Sequence, residues 1–203
     1  MLEFGAFQRL LGIFGNLTIL HHFNLFLCHA LKRLPEYFGN LCNLQHINLP
    51  GCSSLERLLD SFGKFIKLQY LDLQGYNNLN MSSETLGDIC TLEYINLSGC
   101  GKIKVFPKQV AHQRPLEQLL LRDTNLKELP SAIEELNDLK VLVVGGPLLE
   151  TLSAFVCGLT NLKELQLFRC MKLKCLSALL GDLKNLKVLW IERCNELKFF
   201  QLR

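Results

Sequence analysis

An apolar triplet with the spacing LxxLxL recurs every 23 or 24 residues through this chain. Its copies start at Leu20, Leu44, Leu68, Leu92, Leu116, Leu139, Leu162 and Leu186. All 24 triplet positions are apolar, from Leu20, Phe23 and Leu25 to Leu186, Leu189 and Ile191, although apolar residues make up 49% of the sequence. So regular an interval rules out a single ball-shaped core. It calls for similar units stacked in a row, each burying its apolar edge against its neighbours.

The unit Leu41–Lys64, LCNLQHINLPGCSSLERLLDSFGK, carries the signals for its own fold. Gln45 to Leu49 alternates, with His46 and Asn48 on one side and Ile47 and Leu49 on the other, which predicts a short strand with one buried face. Pro50, Gly51 and Cys52 turn the chain, and Leu55 and Leu58 pin the return path to the core. Asp60 to Lys64, closed by Gly63, predicts a short helical or 3₁₀ turn on the far side. Together these are the marks of a leucine-rich repeat. The expected fold is an α/β horseshoe solenoid, with a concave parallel β-sheet and a convex face of short helical or 3₁₀ turns. The pairs Leu34-Pro35 and Leu129-Pro130 suit turns on the convex face better than long helices. At about 4.8 Å between strands, eight repeats would offer roughly 35–40 Å of concave surface.

We expect one domain over residues 1–203, with a partial repeat over 1–16 and about eight repeats over 17–203. Phe7, Leu10 and Phe14 lie 24 residues ahead of Leu31, Leu34 and Phe38, as the tail of an earlier repeat would. Solenoid ends normally carry polar caps. Neither end reads as one, so the chain is expected to be a fragment of a longer protein. One unit departs from the pattern: Asn80-Met81-Ser82-Ser83 replaces the usual apolar return, and a local bulge is expected there.

Several function classes drop out. The net charge of +3 is small for 203 residues, and no basic run with interleaved aromatics suggests a nucleic-acid partner. No stretch approaches the length of a membrane span, and Met1 to Leu20 lacks the features of a signal peptide. There is no GxSxG, HExxH or GxGxxG after a strand. Gly101-Lys102 lacks the earlier glycine and the following Ser/Thr of a phosphate loop, and Glu134-Glu135 belongs to a solvated outer turn. No enzyme activity and no cofactor is expected.

Nine cysteines raise the question of disulfides or zinc. Cys28, Cys52, Cys100, Cys170 and Cys194 share one repeat position, and Tyr76, Thr124 and Pro147 fill it in the other copies. That position points inward at the turn after the strand, which predicts a structural ladder of buried thiols bonding the neighbouring backbone. There is no CxxC pair and no His pair at zinc spacing, and alternation sends His22 out while Cys28 points in, so no metal site is expected. Adjacent rungs come within disulfide Cα range, Cys170 and Cys194 included. An odd count with five thiols in a ladder nevertheless fits a reducing compartment, and a cytoplasmic location is expected.

Alternation also lists the residues that face the concavity. The candidate partner-binding residues are His22, Asn24, His46, Asn48, Tyr70, Asp72, Tyr94 and Asn96 in the first four repeats. In the last four they are Leu120, Arg122, Val143, Gln166, Phe168, Trp190 and Glu192. The first half offers amides beside His and Tyr rings. The second offers an apolar strip with Arg122, Arg169 and Arg193 near its edge, and Trp, Tyr and Arg are the residue types that anchor interfaces. Along the strand entry, Glu93 and Glu117 give way to Lys140, Lys163 and Lys187.

The phrases INLSGCGKIKVFP (Ile95 to Pro107), LKELPSAIEELNDLKVL (Leu126 to Leu142) and LKNLKVLWIERCNELK (Leu183 to Lys198) resemble the repeat region of plant nucleotide-binding, leucine-rich-repeat disease-resistance proteins. The resemblance covers essentially the whole chain. It implies a sensor that recognises a pathogen effector or a guarded host protein, and that restrains the receptor through contacts with its own nucleotide-binding domain. That domain is absent here, with no phosphate loop. The regularity of the repeats also resembles stand-alone intracellular scaffolds of the Ras-associated type, the alternative reading. A receptor-kinase ectodomain would carry LSGxIP wording, which is missing. It would suit the three sequons at Asn16, Asn80 and Asn96, yet Asn96 sits on the strand face, where a glycan would block the groove.

Overall fold

The computed structural model describes residues 16–79, 86, 89–103, 115–129, 131–152 and 154–198, side chains at 60, 61, 132 and 179 apart. The expected bulge at Asn80–Ser83 and nearly all of the partial repeat over 1–16 lie outside them. Among the described residues, eight strands form one parallel sheet in sequence order. They are β1 (His22–Asn24), β2 (His46–Asn48), β3 (Tyr70–Asp72), β4 (Tyr94–Asn96), β5 (Gln118–Leu121), β6 (Val141–Gly145), β7 (Glu164–Phe168) and β8 (Val188–Glu192). Each pairs with the next at the register of the repeat, so that Phe23, Ile47, Leu71, Ile95 and Leu119 line up across five strands. The return path on the opposite side carries 3₁₀ turns at Glu36–Asn40, Asp60–Lys64, Ser131–Glu135, Ala154–Gly158 and Ala178–Asp182. This is the expected leucine-rich-repeat solenoid.

The core is a ribbon between sheet and outer turns. Leu44, Ile47 and Leu49 are fully buried, as are Leu55, Phe62 and Phe65 from the return path. Rings pack edge to face within and between repeats, Phe23 of β1 on Phe38 of its own return path at 4.8 Å and Phe38 on Phe65 of the next repeat at 5.7 Å. At the other end of the sheet, β8 has no ninth described strand against it. Leu189 is consequently 47% exposed, whereas its counterpart Leu165 is fully buried.

Polar clips bind each repeat to its predecessor. The thiols of Cys52 and Cys100 donate to the carbonyls of Leu25 and Leu73 at 3.4 and 3.1 Å, and the Tyr76 hydroxyl does the same to Leu49 at 2.6 Å. Cys194 reaches Leu167 at 3.7 Å. All nine cysteines are free thiols. Two features correct the expected ladder. Cys28 and Cys194 are only partly buried. Pro147 is exposed, and its turn closes with the Leu149 N–H on the Gly146 carbonyl at 3.4 Å. There the Gly146 N–H bonds the Phe168 carbonyl at 3.1 Å, and a Cβ on Gly146 would sit 2.0 Å from the Thr124 carbonyl oxygen. A second set of clips guards the strand entries: the Asn43 amide donates to Thr18, Asn161 to Asn137 and Asn185 to Thr160, each at 2.8 Å.

The residue ahead of the thiol position carries a demand of its own. It adopts positive φ in every repeat: Leu27, Gly51, Gly75, Gly99, Asp123, Gly146, Arg169 and Arg193. Glycine takes this conformation freely and other residues do so at a cost. The backbone bonds made here explain the requirement. Gly75 N–H reaches Ser98 and Gly99 N–H reaches Arg122, both at 2.7 Å, which forces the chain to turn sharply under the sheet.

Candidate functional site

The pleat places two columns of side chains on the concave face. In the first, the rings of His22, His46, Tyr70 and Tyr94 stack across four strands. Centroids are 4.3 Å apart for His22 and His46, 5.6 Å for His46 and Tyr70, and 4.1 Å for Tyr70 and Tyr94. A strand spacing near 4.8 Å is close to a stacking distance, so equal residue types on paired positions stack by default. Burial, with a contribution from His22, lowers the His46 pKa below its ordinary value. Burial also raises that of the Tyr94 phenol, with the Tyr70 contact adding to it.

The second column is a hydrogen-bonded network. The Asn96 amide donates to Asp72 Oδ2 at 3.1 Å and to Gln74 Oε1 at 3.3 Å. The Gln74 N–H donates to Asp72 Oδ1 at 2.9 Å, and the Ser98 N–H to Asn96 Oδ1 at 3.0 Å. Burial pushes the Asp72 carboxyl above its usual range, and these donors pull it back. Asp72 and Asn96 are buried. They brace the strand exits and present little surface. Asn24 is exposed and Asn48 half-buried, with Oδ1 of Asn48 out of contact with water and without a hydrogen-bond partner among the described residues.

The second half of the face is built differently. The Arg122 guanidinium lies 3.9 Å from the centroid of the Phe168 ring, a cation–π contact. Phe168 in turn meets the Trp190 ring at 6.4 Å and a tilt of 31°. Phe168 is a candidate contact residue by alternation, yet it is 6% exposed, with Arg122 lying over its ring. Val143 is likewise buried on this side. In this half of the face Trp190 is the aromatic group most open to solvent, at 53% exposure, on β8, which no ninth described strand flanks. Leu120 is half-buried beside Val143, and the Gln166 amide donates to the Glu164 carboxylate. Asp123 lies 3.8 Å from Arg122 and 3.6 Å from Arg169, and Glu192 lies 3.6 Å from Arg193. Along the strand entry, the charge change read from the sequence is partly paired, with Lys140 bonded to Glu117.

The candidates thus lie on consecutive strands, and where the halves meet the Arg122 N–H donates to Ser98 Oγ at 3.1 Å. Sequence reasoning reached these candidates through the period-two rule. It missed the stacking of the rings, which equal residues on paired positions could have signalled, and the burial of Phe168, which no pattern announces. No helix among the described residues is long and apolar enough to cross a membrane.

The geometry is mirrored in known proteins. No curated protein matches the chain. Among solved structures, the leucine-rich repeat domain of the type III effector XopL superposes with a TM-score of 0.71 at 23% identity, over 88% of this chain and 62% of that one. The present chain therefore spans less than two thirds of that domain's length. An LRR protein of Leptospira interrogans, LIC12759, gives a TM-score of 0.49 at 20% identity, over 93% of this chain and 74% of that one. At 23% identity the likeness to the XopL domain is one of fold. A family model described as a leucine-rich repeat region matches residues 53–199, which take in β3 to β8. With the repeat, the sheet and the family match in agreement, the chain belongs to the leucine-rich repeat family.

Proposed function

We propose that this chain is the protein-recognition module of an intracellular plant immune receptor, and that its concave face contacts a pathogen effector or a guarded host protein. The observation that carries the recognition reading is Trp190, a large aromatic side chain 53% exposed on an open sheet and backed by the Arg122–Phe168 pair. Leaving such a side chain in water is unfavourable, and covering it contributes to affinity. The assignment to plant immunity draws its support from the resemblance of Ile95–Pro107, Leu126–Leu142 and Leu183–Lys198 to those receptors. In that setting the module also contacts a nucleotide-binding domain outside this chain, and works in the cytoplasm. The burial of the Asn96 amide within its network argues against a glycan at that sequon.

Two measurements test the reading. Immunoblotting of source tissue should reveal a protein well above 23.2 kDa, the mass of this chain. A band at that mass would favour the stand-alone scaffold. Pull-down with wild type and Trp190→Ala, both checked by thermal unfolding, should lose the specific partner in the variant. Equal recovery by both folded proteins would overturn the recognition role of this face.

A further inference from the structure

The concave face of the last strands carries charge that its own side chains do not neutralise. On the exit edge, the three guanidiniums of Arg122, Arg169 and Arg193 share two carboxylates, those of Asp123 and Glu192. On the entry edge, Lys163 and Lys187 are exposed and meet no carboxylate within ion-pair reach among the described residues. Glu164 lies between the edges, its carboxylate occupied by the Gln166 amide. Five cations therefore face three acids around the exposed Trp190.

The spacing defines a ligand. Lys187 and Arg193 are six residues apart, with Trp190 midway between them. At about 3.3 Å per residue, the two edges stand roughly 20 Å apart, the length of an extended peptide of about seven residues. Carboxylates at both ends of such a peptide would meet the Lys and Arg edges, and a central apolar side chain would cover Trp190. A basic peptide would be repelled at both ends, so charge sets which partners are admitted. From this complementarity we infer that the face binds an extended acidic peptide segment with one large apolar side chain between its carboxylates. The inference rests on the recognition reading and gives its partner a chemistry.

Trp190 is the single tryptophan of the chain, so its fluorescence reports from the site itself. The probe is the peptide Glu-Glu-Ser-Phe-Ser-Glu-Glu, titrated into the full 203-residue chain. Two controls accompany it, one with Lys in place of every Glu and one with Ala in place of Phe. The acidic Phe peptide should shift Trp190 emission saturably, and the Ala peptide should bind several-fold more weakly. The Lys163→Glu/Lys187→Glu double variant should lose about tenfold in affinity, as should raising salt from about 50 to about 300 mM. Both lysines are exposed, and thermal unfolding checks that the variant folds, with Lys163→Ala/Lys187→Ala as the milder alternative. Equal binding of the Lys peptide would overturn the acidic preference and leave the recognition reading intact. Silence of Trp190 toward all three peptides would overturn the inference too, and the recognition reading would then stand or fall on its own pull-down.

Discussion

Replacing Gly99 by Ala isolates the physical demand that every repeat shares. Gly99 has φ +73°, and a Cβ there would lie 3.1 Å from Gly75 Cα and 3.2 Å from Gly75 N. The left-handed conformation costs a non-glycine residue about 1–2 kcal/mol. The contact adds about 1 kcal/mol or more, because it strikes backbone held in place by the 2.7 Å bonds of Gly75 and Gly99 to the next repeat. Stiffening of the unfolded chain returns about 0.4–1 kcal/mol. The net expectation is a loss of about 2 kcal/mol. Arg169, at φ +52°, supplies the comparison within the same column. Arg169→Gly and Arg169→Ala both remove the exposed contact with Asp123, so their difference isolates the backbone preference. Gly should come out the more stable by roughly 0.5–1 kcal/mol. Urea unfolding followed by circular dichroism measures all four proteins. A Gly99→Ala variant as stable as wild type, or an Arg169→Ala variant more stable than Arg169→Gly, would refute the reasoning.

Other consequences follow from burial. Leu71→Ala should cost about 2–5 kcal/mol, because Leu71 is fully buried. The same change at Leu189, the equivalent triplet position, should cost well under half as much, because Leu189 is half exposed at the end of the sheet; urea midpoints compare the two. Burial pushes the Cys100 thiol up to about 12, and raises that of Cys170 with a smaller contribution from Cys194. In the native protein a thiol reagent should therefore modify exposed Cys42, Cys90 and Cys175 first, and reach Cys100 and Cys170 only on unfolding, as peptide mass spectrometry would read out. Because the folded thiol of Cys100 ionises later than the unfolded one, its contribution to stability is intact below pH ~8.5 and is lost as pH rises from there toward about 12. Wild type should lose about 2 kcal/mol more than Cys100→Ala between roughly pH 8 and pH 10 in urea melts. Phe168→Ala should weaken stability as well as binding, since Arg122 covers the ring, whereas Trp190→Ala should leave the unfolding curve nearly unchanged.

The sequence by itself determined the interval, the strand positions, the inward triplets and the residues of the concave face. In a solenoid, one period carries both the chemistry and the geometry. A residue's place in the count sets its strand, and alternation sets its side, which is why Ile47 and Leu49 could be read as buried and His46 as facing the concavity. The turn ahead of the thiols was legible where glycine marked it, at Gly51, Gly75 and Gly99. It stayed hidden at Leu27 and Arg169, whose N–H groups bond the Pro50 and Glu192 carbonyls of the next repeat, and at Asp123 and Arg193, which adopt the same conformation without a glycine to mark it. Only the tertiary structure decided that Asp72 and Asn96 brace the strand exits, that Pro147 leaves the ladder, and that Phe168 is covered while Trp190 is not. These outcomes depend on contacts between repeats, which follow from how neighbouring side chains meet across a strand spacing and not from the pattern within any one repeat.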